Sequence, residues 1–323
     1  MKKILLFAIT IFALISCGDD LDTGGTIYYD RPGSGVFVCN EGNFGSSNSS
    51  LSFYDISSGE VDDEIYFNAN NIPLGDVCSS MSIIDGTGFV VVNNSGKIAL
   101  IDPVTFRYKG VIKGLTAPRY IEPAGDGKLY ITDLYSSQVT VVDRASLEIT
   151  GTIKLEWNGL SSNTSEGVTQ DGRYVYITAW SYDDRVFRID TSTDKVDGML
   201  TVTKQPNSIV TDKNGYLWVL SDGGYEGSPA GQEIAALTRI DPATFTVDKV
   251  FVFPDMALSP QKLSINGTGD RLYFLNSSLT ASVIGGGVYV MGIDDGALPA
   301  MPLIPEDGKL FYGLGIDPSN SDI

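Results

Sequence analysis

Asp126-Gly-Lys-Leu-Tyr130-Ile-Thr-Asp-Leu-Tyr135-Ser-Ser-Gln-Val139-Thr-Val-Val-Asp143 contains the phrase on which the fold turns. Asp-Gly supplies the positive backbone angles of a tight hairpin. A strand rich in aromatic and β-branched residues follows, then a polar loop, then an alternating strand that ends on aspartate. The closing strand returns as Leu51-Ser-Phe-Tyr-Asp55, Ile98-Ala-Leu-Ile-Asp102, Val186-Phe-Arg-Ile-Asp190 and Leu237-Thr-Arg-Ile-Asp241, with a degenerate copy at Val288-Tyr-Val-Met-Gly292. Its aspartates, Asp143 included, step by 47, 41, 47 and 51 residues. The opening hairpin returns at a steady offset, as in Asp171-Gly-Arg-Tyr-Val-Tyr176 and Asn214-Gly-Tyr-Leu-Trp218.

Each unit therefore predicts four short strands in roughly 40 to 50 residues, the length of one propeller blade. Helical periodicity is nearly absent. One four-stranded sheet cannot bury both faces, so the copies must pack face to face around an axis. The expected fold is all-β, a seven-bladed β-propeller over residues 35–323. Unit one begins near Gly35 without the innermost strand that opens the others. Units two to six are complete, and unit seven opens at Tyr312-Gly-Leu-Gly-Ile-Asp317. Ile323 aligns with Leu129, Val175, Leu217 and Leu272, all in mid-strand. That alignment predicts that the sequence is cut short within the last blade. The rest of blade seven, and the strand completing blade one, are expected to follow. A six-bladed ring is the alternative.

Residues 1–16 form a targeting segment. Lys2 and Lys3 precede the apolar run Ile4 to Ile15, and Leu14-Ile15-Ser16-Cys17 has the form of a lipobox. The run is shorter than the roughly 20 residues a membrane span needs. Cys17 is accordingly the expected lipidation site, with residues 17–34 a linker. Asp19, Asp20 and Asp22 resemble the acidic export tag of surface lipoproteins of some Gram-negative bacteria, which implies an outer-membrane, surface-exposed location.

The formal net charge is −18, and removing the two leader lysines makes it more negative. Such a field repels a polyphosphate, which argues against nucleic acid as a partner. Histidine is absent, which removes the usual general base, catalytic triad and zinc ligand together. No enzyme activity and no metal or other cofactor is expected. Glu41, Asp76, Glu166 and Asp222 fall in or beside loops where they could act with a metal, but turn-capping or solvation accounts for them more simply. Cys39 and Cys78 are either a disulfide of an exported protein or two small buried strand residues, and sequence alone leaves the choice open.

In a propeller the strands run A to D from the axis outward, and the B–C and D–A connections share one end. Here those connections are long and rich in Asn, Ser, Gly and aromatics, whereas the A–B turns are short. The pattern suits a large neutral or amide-rich ligand, or a sugar. The candidate contacts are Asn43, Phe44, Asn70, Asn94, Tyr135, Trp157, Trp180, Tyr182, Tyr225 and Asn276. Several of the aromatics among them lie in turns that no strand core requires.

Three phrases carry a resemblance: Cys39-Asn-Glu-Gly-Asn-Phe-Gly-Ser-Ser-Asn-Ser-Ser50, Asn68-Ala-Asn-Asn-Ile-Pro-Leu-Gly-Asp76 and Val91-Val-Asn-Asn-Ser-Gly-Lys-Ile98. From Gly35 onward the chain resembles the YncE/YVTN-like seven-bladed surface lipoproteins of gut anaerobes, including the BtuG type. The resemblance implies capture of vitamin B12 (cobalamin and related corrinoids) and its delivery to a BtuB-type, TonB-dependent outer-membrane transporter. A corrinoid displays many amides and little net charge, in keeping with Asn and Ser donors framed by aromatics. Without histidine, the protein would hold it by its periphery and leave the lower axial base on cobalt. The alternative is a glycan-binding or protein-interaction propeller with no corrinoid affinity.

Overall fold

The computed structural model describes residues 25–31, 33–125, 127–276 and 285–323. The leader, Cys17 and the acidic tag lie outside them. Blade one holds β1 (Gly35–Asn40), β2 (Ser50–Asp55) and β3 (Glu60–Asp62). After helix α1 (Ile65–Asn70), blade two holds β4 to β7 (Cys78–Ile84, Thr87–Val92, Lys97–Ile101, Tyr108–Lys113). Blade three holds β8 to β11 (Pro118–Pro123, Lys128–Asp133, Gln138–Asp143, Ile149–Lys154). A small hairpin, β12 (Glu156–Trp157) and β13 (Leu160–Ser161), precedes blade four. Blade four holds β14 to β17 (Val168–Asp171, Tyr174–Ala179, Arg185–Asp190, Lys195–Thr201). Blade five holds β18 to β21 (Pro206–Thr211, Leu217–Ser221, Ala236–Asp241, Thr246–Val252). Blade six holds β22 to β25 (Pro260–Ile265, Arg271–Asn276, Gly287–Gly292, Ile304–Pro305).

Every blade is an antiparallel meander, four-stranded in blades two to six and three-stranded in blade one. The propeller expected from the repeats is thus the architecture observed, with six blades among the described residues. Residues 312–315 line the central channel beside the innermost strands but form no strand of their own. The stretch before blade two, read from sequence as pure loop, turns helical at α1, where Ile65, Tyr66 and Ala69 are buried.

The repeated aspartate explains itself in the C–D turn. Asp143 Oδ1 accepts from the backbone N–H groups of Ala145 and Ser146 and from the Ser146 hydroxyl. Asp55, Asp102 and Asp190 accept equivalent bonds, which hold all four carboxyls below the usual aspartate range. Four residues past each aspartate the backbone turns left-handed, at Gly59, Phe106, Leu147, Asp194 and Phe245. The ladder then shifts by one residue, as at Val141/Val142 and Arg239/Ile240.

Alternation along each strand divides its apolar residues between the two seams that flank the blade. Five buried clusters result, one for each seam between consecutive blades from one to six. Among the described residues, blade one packs against another blade on one face. Phe37 and Phe53 pack toward blade two, whereas Val36, Val38, Tyr54 and Val61 stay exposed.

Candidate functional site

Hydrogen bonds from backbone N–H groups tie the B–C and D–A connections to one another at one end of the propeller. Gly45 N–H donates to Asp76 Oδ2, Leu134 N–H to Ala117 O, Leu155 N–H to Ser137 O, and Asp222 N–H to Gln205 O. These contacts bind the loops together at one end of a central channel of about 630 Å³. The channel is lined by β1 and by the innermost strands of blades two to six, including Tyr120, Asn207 and Lys262.

Blades four to six meet there through side chains. Trp180 Nε1–H, on the B–C loop of blade four, donates to Asp222 Oδ2 of blade five at 2.9 Å. Asn207 Nδ2, on the innermost strand of blade five, reaches the same oxygen at 3.4 Å and the Pro260 carbonyl of blade six at 2.9 Å. Asp222 Oδ1 accepts the Gly224 N–H. Burial raises the pKa of Asp222, while the bonds from Trp180 and Gly224 work in the opposite direction. Beside this group the hydroxyls of Tyr182 and Tyr225 meet at 3.3 Å, with both rings half-exposed. Tyr182 has φ of 59°, a left-handed conformation that is unfavourable for an aromatic residue.

The structure thus brings together three of the residues expected from sequence: Trp180, Tyr182 and Tyr225. Asn43 and Phe44 are exposed on the B–C loop of blade one, and Tyr135 on that of blade three. Asn94 lies on the loop end too, but its side chain donates to Asp76 Oδ2. Three expectations need correction. Trp157 belongs to the β12–β13 hairpin and packs half-buried against the blade three–four core, so it fills a seam. Asn70 ends helix α1, donates to the carbonyls of Tyr66 and Phe106, and accepts from the Tyr108 N–H, which commits it to outer scaffolding. Asn276 is buried at the end of β23 and donates to the Gly285 carbonyl.

Sequence reasoning did not anticipate the polar groups around the innermost strands. Arg119 makes a two-point ion pair with Glu166, at 2.7 and 2.6 Å. Burial opposes the guanidinium charge, and the Glu166 carboxylate more than offsets that, so the net pKa shift is upward. The neighbouring Tyr120 hydroxyl is pushed up to about 12 by burial and by Glu166. Tyr312 donates to Glu41 Oε2 at 2.8 Å and so joins the segment after blade six to the loop of blade one. The four carboxylates that could have served a metal are therefore engaged separately: Glu41 by Tyr312, Asp76 by Gly45 and Asn94, Glu166 by Arg119, and Asp222 by Trp180. Among the described residues, no group of three or more Cys, Asp or Glu side chains is placed to hold a metal ion.

A propeller of unassigned chemistry is what this fold and loop end define. The match of residues 34–323 to the family described as Domain of unknown function (DUF5074) places the chain in that family. None of the curated proteins matches it. Among solved structures it is similar to the β-propeller domain of Cps50 (Swd1) from Myceliophteria thermophila, with 11% identity, 86% of each chain covered and a TM-score of 0.61. It is also similar to the extracellular domain of a putative one component system from B. thetaiotaomicron, with 18% identity and a TM-score of 0.57. That match covers 83% of this chain and 32% of the other. A protein of unknown function from Bacteroides caccae matches with 12% identity, 80% and 90% coverage and a TM-score of 0.54. At these identities the likeness is one of fold.

Proposed function

We propose that this protein is a lipid-anchored propeller of the outer-membrane surface that captures a corrinoid at its loop end and passes it to a BtuB-type, TonB-dependent transporter. The observation that carries the binding part is the convergence of Trp180, Tyr182, Asn207, Asp222 and Tyr225 from blades four and five above the channel. Indole and phenol faces give flat apolar platforms, and the amide and phenol groups give neutral hydrogen bonds. That combination suits a large ring fringed with amides. The three phrases shared with BtuG-type lipoproteins support the choice of corrinoid. The lipobox at Cys17 supports the anchor, and similarity to an extracellular domain agrees with an exported location.

Titration with cyanocobalamin and with cobinamide tests the reading. Tight binding of either is expected, and replacing Trp180 and Tyr182 together by Ala weakens it at least tenfold, about 1.4 kcal/mol, with the melting temperature nearly unchanged. Silence toward both corrinoids would leave a glycan-binding or protein-interaction propeller. Loss of binding that merely tracks loss of stability would remove the assigned site. Radiolabelled palmitate incorporation that disappears in Cys17→Ala checks the anchor.

A further inference from the structure

We propose that Cys39 and Cys78 are a redox couple that closes to a disulfide and staples blade one to blade two at the loop end of the channel. Cys39 sits near the end of β1, half-buried, and lines the channel. Cys78 opens β4 and is fully buried in the apolar cluster of the blade one–two seam, against which Cys39 packs. The two strands belong to different blades, so the link would join modules that share no backbone hydrogen-bond ladder.

The chemistry of the two thiols is unequal in the sense that exchange requires. The neighbouring Cys78 side chain lowers the Cys39 pKa below that of an ordinary thiol, and the Lys262 charge adds to the effect. The Cys39 side chain and full burial push Cys78 well above it. Cys39, half-buried and lining the channel, is therefore the attacking group, and the fully buried Cys78 the resolving one. The Cys39 thiolate attacks one sulfur of an incoming low-molecular-mass disulfide, forms a mixed disulfide and expels one thiolate. Cys78 then loses its proton and attacks Cys39 Sγ, expelling the second. The incoming disulfide gains two electrons and, with two protons, leaves as two thiols.

The link would join β1 of blade one to β4 of blade two across their shared apolar seam. In the chain-entropy account, closing the loop between residues 39 and 78 restricts the unfolded chain. The link also limits opening of blade one independently of blade two.

The test uses the purified full chain incubated with oxidised glutathione, then denatured and alkylated with N-ethylmaleimide. Two fewer alkyl groups than in the reduced protein, and a peptide crosslink mapping to Cys39–Cys78, are expected. Oxidation should also raise the melting temperature by several degrees and slow amide exchange across 35–62, with neither change in Cys39→Ser. Both cysteines remaining alkylatable, or a crosslink that involves Cys17 instead, would overturn the couple. A crosslink that forms without changing exchange in blade one would overturn the stapling role. None of these readouts depends on corrinoid binding.

Discussion

At the turn end of the propeller, Phe106 and Phe245 hold φ of 57° and 50°; at the loop end, Tyr182 holds φ of 59°. All three are aromatic residues in a conformation that normally selects glycine. The first two bury their rings in blade seams, at 0% and 8% exposure, and the burial offsets the strained backbone. Tyr182 leaves its ring 53% exposed, its hydroxyl beside that of Tyr225, so no comparable burial offsets its strain. The contrast separates strain that serves folding from strain available for recognition. The innermost strands repeat the division. Near the loop end Arg119 of β8 pairs with Glu166, whereas toward the turn end of the same strand Glu122 has its carboxyl pushed up to about 7 by burial.

Glycine substitution breaks the comparison most directly. Phe106→Gly keeps a compatible backbone but empties a core site, and should cost about 3 to 5 kcal/mol, on the order of 10 °C in melting temperature. Chemical denaturation would measure it, and a loss under about 1 kcal/mol would mean that the ring does not hold the seam.

Glu122 supplies the next largest effect. Its folded-state value lies above that of an unfolded glutamate, about 4.3, so between the two the folded protein holds the extra proton. Its contribution to stability is full below the lower value and is lost as pH rises through about 7. Glu122→Gln should therefore flatten that part of the pH profile. The gain near pH 8 relative to pH 4 should be on the order of 2 kcal/mol, read from paired unfolding curves.

Asp143→Ala removes the acceptor of three turn hydrogen bonds and should lower the denaturation midpoint, by less than either of the preceding changes shifts it. Because its folded pKa is depressed, the difference from the native protein should shrink as pH falls through the aspartate range. The smallest change is expected at the other end. Tyr182→Gly relieves the backbone without emptying a core and should leave stability unchanged or raise it by about 0.5 kcal/mol, while corrinoid titration reports weaker binding. A large destabilisation there would show that the exposed ring supports the fold after all.

Much of the architecture could be read from short-range pattern. Period-two alternation ending on aspartate marked the C strands, because the turn that follows is held by that residue's own carboxylate and its near neighbours. The rim aromatics of blades four and five were legible for the converse reason, since no strand period claimed Trp180, Tyr182 or Tyr225. Trp157 escaped the same logic. Its turn folds back as a hairpin over the blade three–four core, and nothing local distinguishes that from an open loop.

From sequence alone came the blade repeat, its strand order and the long-loop end, since alternation and turn chemistry act within a few residues of themselves. Tertiary structure alone decided which groups meet there. Trp180 finds Asp222 across 42 residues, Arg119 finds Glu166 across 47, and Cys39 comes to rest against Cys78. These encounters depend on how successive blades rotate about the channel, a geometry set by seam packing and not by spacing along the chain.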